Sequence, residues 1–110
     1  MIDWQRINEL KSEIGEESFP EVVDLFIEEA TEAIERLQNG PDLATLGAEL
    51  HSLKGTALNL GFANLGELCQ IGESRAAQGR AEEIALGPII DCYENSKHVF
   101  LAGMVNGQTQ

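Results

Sequence analysis

Residues 50–61 read Leu50-His51-Ser52-Leu53-Lys54-Gly55-Thr56-Ala57-Leu58-Asn59-Leu60-Gly61, and the position of one histidine in this run organises the rest of the chain. With Asp42 to Leu60 taken as one helix at about 100° per residue, Leu43, Leu46, Leu50, Leu53, Ala57 and Leu60 gather about 80 to 180° to one side of His51. They form a core stripe, and His51 lies outside it. The residues that neighbour the histidine on its own face are Gly47, Ala48, Lys54 and Gly55. Each glycine inside a helix costs about 1 kcal/mol relative to alanine, so stability alone does not account for the pair. Two readings fit this pattern. In one, the ring has been cleared so that something can approach it closely, with Lys54 placed to meet negative charge. In the other, His51 is a solvated surface histidine among chance glycines.

The spacing of His51, Leu53, Lys54, Gly55, Ala57 and Gly61 resembles the signature of histidine-containing phosphotransfer (HPt) domains. That pattern runs His, any residue, a hydrophobic, Lys, Gly, then a small residue and a later Gly. The resemblance implies that His51 carries a phosphoryl group between receiver-domain aspartates in a multistep two-component phosphorelay. It also implies response-regulator receiver domains and a hybrid histidine kinase as partners. Mg²⁺ and the catalytic acids would come from the receiver domain. On that reading the chain is a phosphocarrier with no cofactor and no autonomous catalytic centre.

Composition narrows the alternatives. A chain of 110 residues is expected to be one domain, large enough to bury a core without metal or disulfide staples. A net charge of −12 and a pI near 4.3, with seven scattered basic residues, argue against a nucleic-acid partner. No segment reaches about 18 consecutive apolar residues, and Met1 to Leu10 lacks the basic start and apolar run of a signal peptide. A cytoplasmic protein with no membrane contact is expected. Cys69 and Cys92 show no pairing or metal spacing and are expected to be reduced core residues.

Asp3 is placed to cap a short first helix in which Trp4, Ile7, Leu10 and Ile14 recur at helical spacing, ending near Gly15. Ser18 is expected to cap a second, with Pro20 in its first turn and Glu21 in the capping-box position. Val22, Val23, Phe26, Ile27, Ala30, Ala33, Ile34 and Leu37 give this helix an apolar face, and Asn39-Gly40-Pro41 stops it. Glu28, Glu29, Glu32 and Glu35 crowd its other side, as a solvated face or a partner surface.

Asp42 then caps the histidine helix, and Gly61 is a natural residue to follow its end. After the turn at Phe62 and Ala63, a helix from about Asn64 to Gln78 directs Leu65, Leu68, Cys69, Ile71, Gly72 and Ala76 inward and stops at Gly79. So short a connection makes the two helices antiparallel, which brings Glu73 to the level of His51 and Gln70 one turn nearer the loop. Ile84, Ile89, Tyr93, Phe100 and Met104 mark a last helix, interrupted by Gly87-Pro88. It begins at Pro88, or near Glu82 with a kink; the second is the expectation. Residues 105–110 read as a frayed tail. The whole is an all-α, up-down-up-down four-helix bundle with a short N-terminal helix, and HPt domains are similar.

A neutral imidazole has one unprotonated nitrogen able to attack a phosphoryl group, and the hydrogen bond at the other nitrogen decides which. Glu73 is a candidate for that orienting acceptor, or else one surface carboxylate among nineteen acids. A glutamate stands at this spacing in the HPt domains of chemotaxis kinases, which this stretch resembles without gaps. Gln70 is a weaker candidate, or a solvated residue. Lys54 brings one positive charge to a phosphoryl group of about two negative charges, worth about 1 to 2 kcal/mol at a partly exposed contact. Leu58 is only about 20° from His51 in phase. It either joins Gly47, Ala48 and Gly55 in a docking patch or packs against Phe62 or the first helix. His98 reads as solvated.

Two rival classes remain: an HPt-like module that binds a receiver domain or kinase without transferring phosphate, and a metal-binding bundle. A di-iron bundle needs Glu-x-x-His pairs, yet Ala48 and Asn95 stand three residues before His51 and His98. No metal is expected, and the chain is expected to be monomeric.

Overall fold

The computed structural model describes residues 2–105 as helices α1 (Trp4–Ile14), α2 (Phe19–Gln38), α3 (Leu46–Asn59), α4 (Ala63–Ala77) and α5 (Leu86–Val105). A single 3₁₀ turn, Ala81–Glu83, precedes α5. Among the described residues the one strand-like pairing is an isolated bridge between Ile2 and Phe62. Helices α2 to α5 form the bundle, 43 × 22 × 21 Å with α1 laid against one end.

The expected N-cap of α1 is present: the Asp3 carboxylate accepts from the Arg6 backbone N–H at 3.1 Å. Ser18 precedes α2 as expected, with Pro20 in the first turn, but its side chain makes no capping bond because its backbone is already helical. The α2 stripe buries Val23, Ala30, Ala33, Ile34 and Leu37. Tyr93 of α5 reaches it, its hydroxyl 2.6 Å from Thr31 Oγ1 and donating to the Ile27 carbonyl at 3.3 Å. This gives the buried phenol polar partners. Phe62 and Phe100 meet edge to face at 5.6 Å, and Trp4 stacks on Phe100 at 5.9 Å, tying α1 to the bundle.

Helices α3 and α4 run antiparallel, and the pairs along their seam show the register. From one end to the other, Gly47 faces Ala76, Leu50 faces Gly72, His51 faces Glu73, Lys54 faces Gln70 and Leu58 faces Gly66. Glycine makes this closeness possible. A Cβ at Gly72 would lie 2.6 Å from Leu50 Cδ1, and one at Gly47 would lie 3.0 Å from the Ala76 Cβ. Gly61 turns the chain at a φ of +72°, where side chains are disfavoured, and its carbonyl accepts from the Asp3 N–H at 2.7 Å. The same turn has no room for a Cβ, which would lie 2.6 Å from the Asp3 oxygen.

Four expectations need correction. Asp42 does not cap α3: its carboxylate accepts from the Ala44 N–H at 2.9 Å, making a turn, and α3 starts four residues later after Thr45. Leu43 therefore leaves the core stripe and is 51% exposed. Ile71 points outward, 50% exposed, because Leu50 enters the seam at Gly72 instead. The last helix does not run through from Glu82. Ile84 is extended, and α5 starts at Leu86, so Pro88 falls in the first turn, where a missing N–H costs no helical bond. Cys69 is fully buried and Cys92 half-buried, both free thiols. Burial pushes the Cys69 thiol up to about 12. Residues 106–110 of the expected tail lie outside the described residues.

Candidate functional site

The stripe of α3 that anchors Leu46, Leu50, Leu53 and Ala57 in the core turns His51 outward, and the imidazole is 66% exposed. The ring stays fixed all the same. Its Nδ1 lies 2.7 Å from Oε2 of Glu73 on α4. The second oxygen of that carboxylate, Oε1, accepts from Lys54 Nζ at 2.8 Å. Lys54 also donates to Gln70 Oε1 at 2.8 Å, and Gln70 Nε2 donates to Ser74 Oγ at 3.1 Å. His51, Lys54, Glu73 and Gln70, all candidates from the sequence, thus belong to one network.

Lys54 first, and His51 second, hold the Glu73 carboxyl below the usual carboxylate range. An ionised carboxylate only accepts hydrogen bonds, so the proton in the 2.7 Å contact belongs to Nδ1. In the neutral ring the lone pair is then on Nε2, which has no hydrogen-bond partner among the described residues. A carboxylate behind an imidazole both selects the tautomer and stabilises positive charge that develops on the ring.

The surroundings of His51 differ on its two sides. Toward the N-terminus of α3 a groove of about 520 Å³ opens between α3 and α4, walled by Leu43, Ala44, Gly47, Ala48, Ala76 and Ala77. Toward the C-terminus, a Cβ at Gly55 would meet nothing within 4 Å, so that flank is open. Gly47, read from sequence as a clearing residue, has a packing cause as well, its closeness to Ala76. Leu58 is 49% exposed, with its inner side resting on Gly66. His98 is exposed on α5, far along the sequence from this network.

The sequence does not single out Ser74, Ala44 or Ala77, and it places Leu43 in the core stripe instead of on the groove wall. Ser74 was legible as the residue four after Gln70, on the same helical face. Leu43 lies on the wall because the turn at Asp42 puts it ahead of α3. A second hollow, of about 290 Å³ at the α2–α3 turn, is lined in part by Arg36, whose guanidinium donates to both oxygens of Glu49 at 2.6 to 3.1 Å. Among the described residues no three His, Cys, Asp or Glu side chains gather as a metal site. Among the same residues no helix is long and apolar enough to cross a membrane.

Fold and site together define a helical bundle that presents an open imidazole, oriented from behind by a carboxylate. A family model described as Hpt domain matches residues 21–99, and the chain belongs to that family, the histidine-containing phosphotransfer domains. Such domains are phosphotransfer modules of phosphorelays, phosphocarriers rather than catalysts, that meet receiver domains and kinases of two-component signalling. Comparison with curated proteins and with solved structures returned no match.

Proposed function

We propose that His51 is the phosphoryl acceptor and donor of a multistep phosphorelay, passing the group between aspartates of receiver domains. The observation that carries this reading is the 2.7 Å contact of Nδ1 with Glu73, which leaves Nε2 as the free nucleophile on an exposed ring. In the forward step the Nε2 lone pair attacks the phosphorus of a receiver aspartyl phosphate. The P–N bond forms, the P–O bond breaks, and the aspartate carboxylate leaves with the electron pair. The ring, now bonded at Nε2 and protonated at Nδ1, carries positive charge that Glu73 opposes directly. Donation to the next aspartate reverses these bond changes.

Phosphoryl transfer needs positioning and charge neutralisation more than covalent help. Lys54 supplies the cation, and Gln70 and Glu73 fix its place. The chain needs no cofactor of its own; Mg²⁺ belongs to the receiver domain, along with the acids that hold it. The receiver covers the open flank at Gly55 and contacts Ala48, Leu58 and Gly47 around the ring. A monomer suffices, in the cytoplasm, with a hybrid histidine kinase upstream and response regulators downstream.

The test is phosphoryl transfer from a panel of phosphorylated receiver domains to the wild-type chain and to His51→Gln. Acid-labile, base-stable label on wild type and none on His51→Gln is the expected result. Receiver binding without label on either chain would identify a docking module and overturn the carrier reading.

A further inference from the structure

The network behind His51 does not end at Lys54. Gln70 is held at both ends of its amide: Oε1 accepts from Lys54 Nζ at 2.8 Å, and Nε2 donates to Ser74 Oγ at 3.1 Å. The two ends of an amide have nearly the same shape but opposite hydrogen-bonding character. A flipped Gln70 would aim N–H groups at an ammonium that has only N–H groups to offer. Lys54, a donor only, sets which end of the amide faces it, and the Ser74 hydroxyl, one turn along α4, accepts from the NH₂ end and anchors it there.

Resting on the phosphocarrier reading, we propose that Ser74 is a positioning residue for phosphoryl transfer: it anchors the Gln70 amide, which holds Lys54 beside His51 with one ammonium N–H free for a phosphoryl oxygen. An ammonium has three donors, and Gln70 and Glu73 take two. The third remains for an incoming group without release of Glu73 from His51. Charge explains why an amide suits this place. Lys54 and Glu73 already balance, and a carboxylate at position 70 would leave the site negative and repel a phosphoryl group of about two negative charges. The Gln70–Ser74 pair gives position to the cation without neutralising it.

Phosphoramidate is the probe that isolates this step, since its transfer needs no docked protein. The P–Nε2 bond forms, the P–N bond of phosphoramidate breaks, and ammonia leaves. Ser74 is exposed, so Ser74→Ala is expected to keep the wild-type melting temperature. Its labelling by phosphoramidate is expected to slow by about threefold to tenfold, the effect of one neutral hydrogen bond. Ser74→Thr restores the rate, and in a Lys54→Ala background Ser74→Ala causes no further slowing. That last result separates positioning through Lys54 from a general structural effect. If wild type and Ser74→Ala are labelled equally fast, or if Ser74→Ala slows the Lys54→Ala chain by the same factor, the role assigned to Ser74 is wrong while the carrier reading stands. If wild type takes no label from phosphoramidate or from any receiver domain, the carrier reading falls and the positioning role with it.

Discussion

Nδ1 of His51 and Oε2 of Glu73 lie 2.7 Å apart across the α3–α4 seam, although the two residues stand 22 positions apart in the chain. The contact depends on the glycines that let the two helices approach. It also ties Nδ1 of an exposed imidazole to α4 and leaves Nε2 without a hydrogen-bond partner among the described residues.

Glu73→Gln keeps the shape of the side chain but removes the charge that opposes an imidazolium and anchors Lys54. Phosphoryl uptake is expected to fall by about tenfold, the scale of a charge-assisted hydrogen bond, with binding of the receiver domain little changed. Measuring the rate at saturating receiver and the half-saturating concentration separately checks this. A change confined to the half-saturating concentration would place Glu73 in docking instead.

The same carboxylate makes a prediction for pH. Its folded value is depressed below the ordinary 4.5, by Lys54 first and then His51. A group depressed in the fold contributes stability that is present above its unfolded value and lost as pH falls through its folded value. The melting temperature of wild type should therefore drop as pH falls below about 4.5, and Glu73→Gln should flatten that slope. Glu83, depressed by its ion pair with Arg80, adds a similar contribution and should remain in the variant. An unchanged slope in Glu73→Gln would contradict the pairing.

Much of this was legible in the chain. The apolar spacing from Leu46 to Leu60 placed His51 outside the core, and the short turn at Gly61 brought Glu73 level with it. The errors came from local chemistry that competes with helix periodicity. Asp42 bonds to Ala44 two residues on, so a good capping residue made a turn and left Leu43 exposed. Ile71 had the right phase for the core, but Gly72 admits Leu50, and a helix packed that closely through glycine has a narrow buried arc. The Gln70–Ser74 bond depends on rotamers that no spacing rule reports.

Glycine substitutions should separate the seam from the open flank. Gly72→Ala puts a methyl 2.6 Å from a Leu50 side chain that is 0% exposed, and the overpacking should cost about 1 to 3 kcal/mol. Gly55→Ala meets nothing within 4 Å and should raise stability by up to about 1 kcal/mol. Denaturant unfolding of the two variants gives both values. If receiver domains dock over Gly55 as proposed, the same Gly55→Ala chain should take label from them more slowly.

Leu58 is half exposed, so Leu58→Glu should change stability by less than about 1 kcal/mol. If it touches the receiver domain, the half-saturating receiver concentration should rise, and labelling by phosphoramidate should not change. A large loss of melting temperature with unaltered receiver affinity would assign Leu58 to packing on Gly66 alone.

The most direct measurement is the site of phosphorylation within the ring, read by ¹H–¹⁵N NMR of the phosphorylated chain with ¹⁵N-labelled histidine. The predicted result is phosphorus on Nε2 of His51, with Nδ1 protonated and bonded to Glu73. Phosphorus on Nδ1, or on His98 instead of His51, would contradict the account.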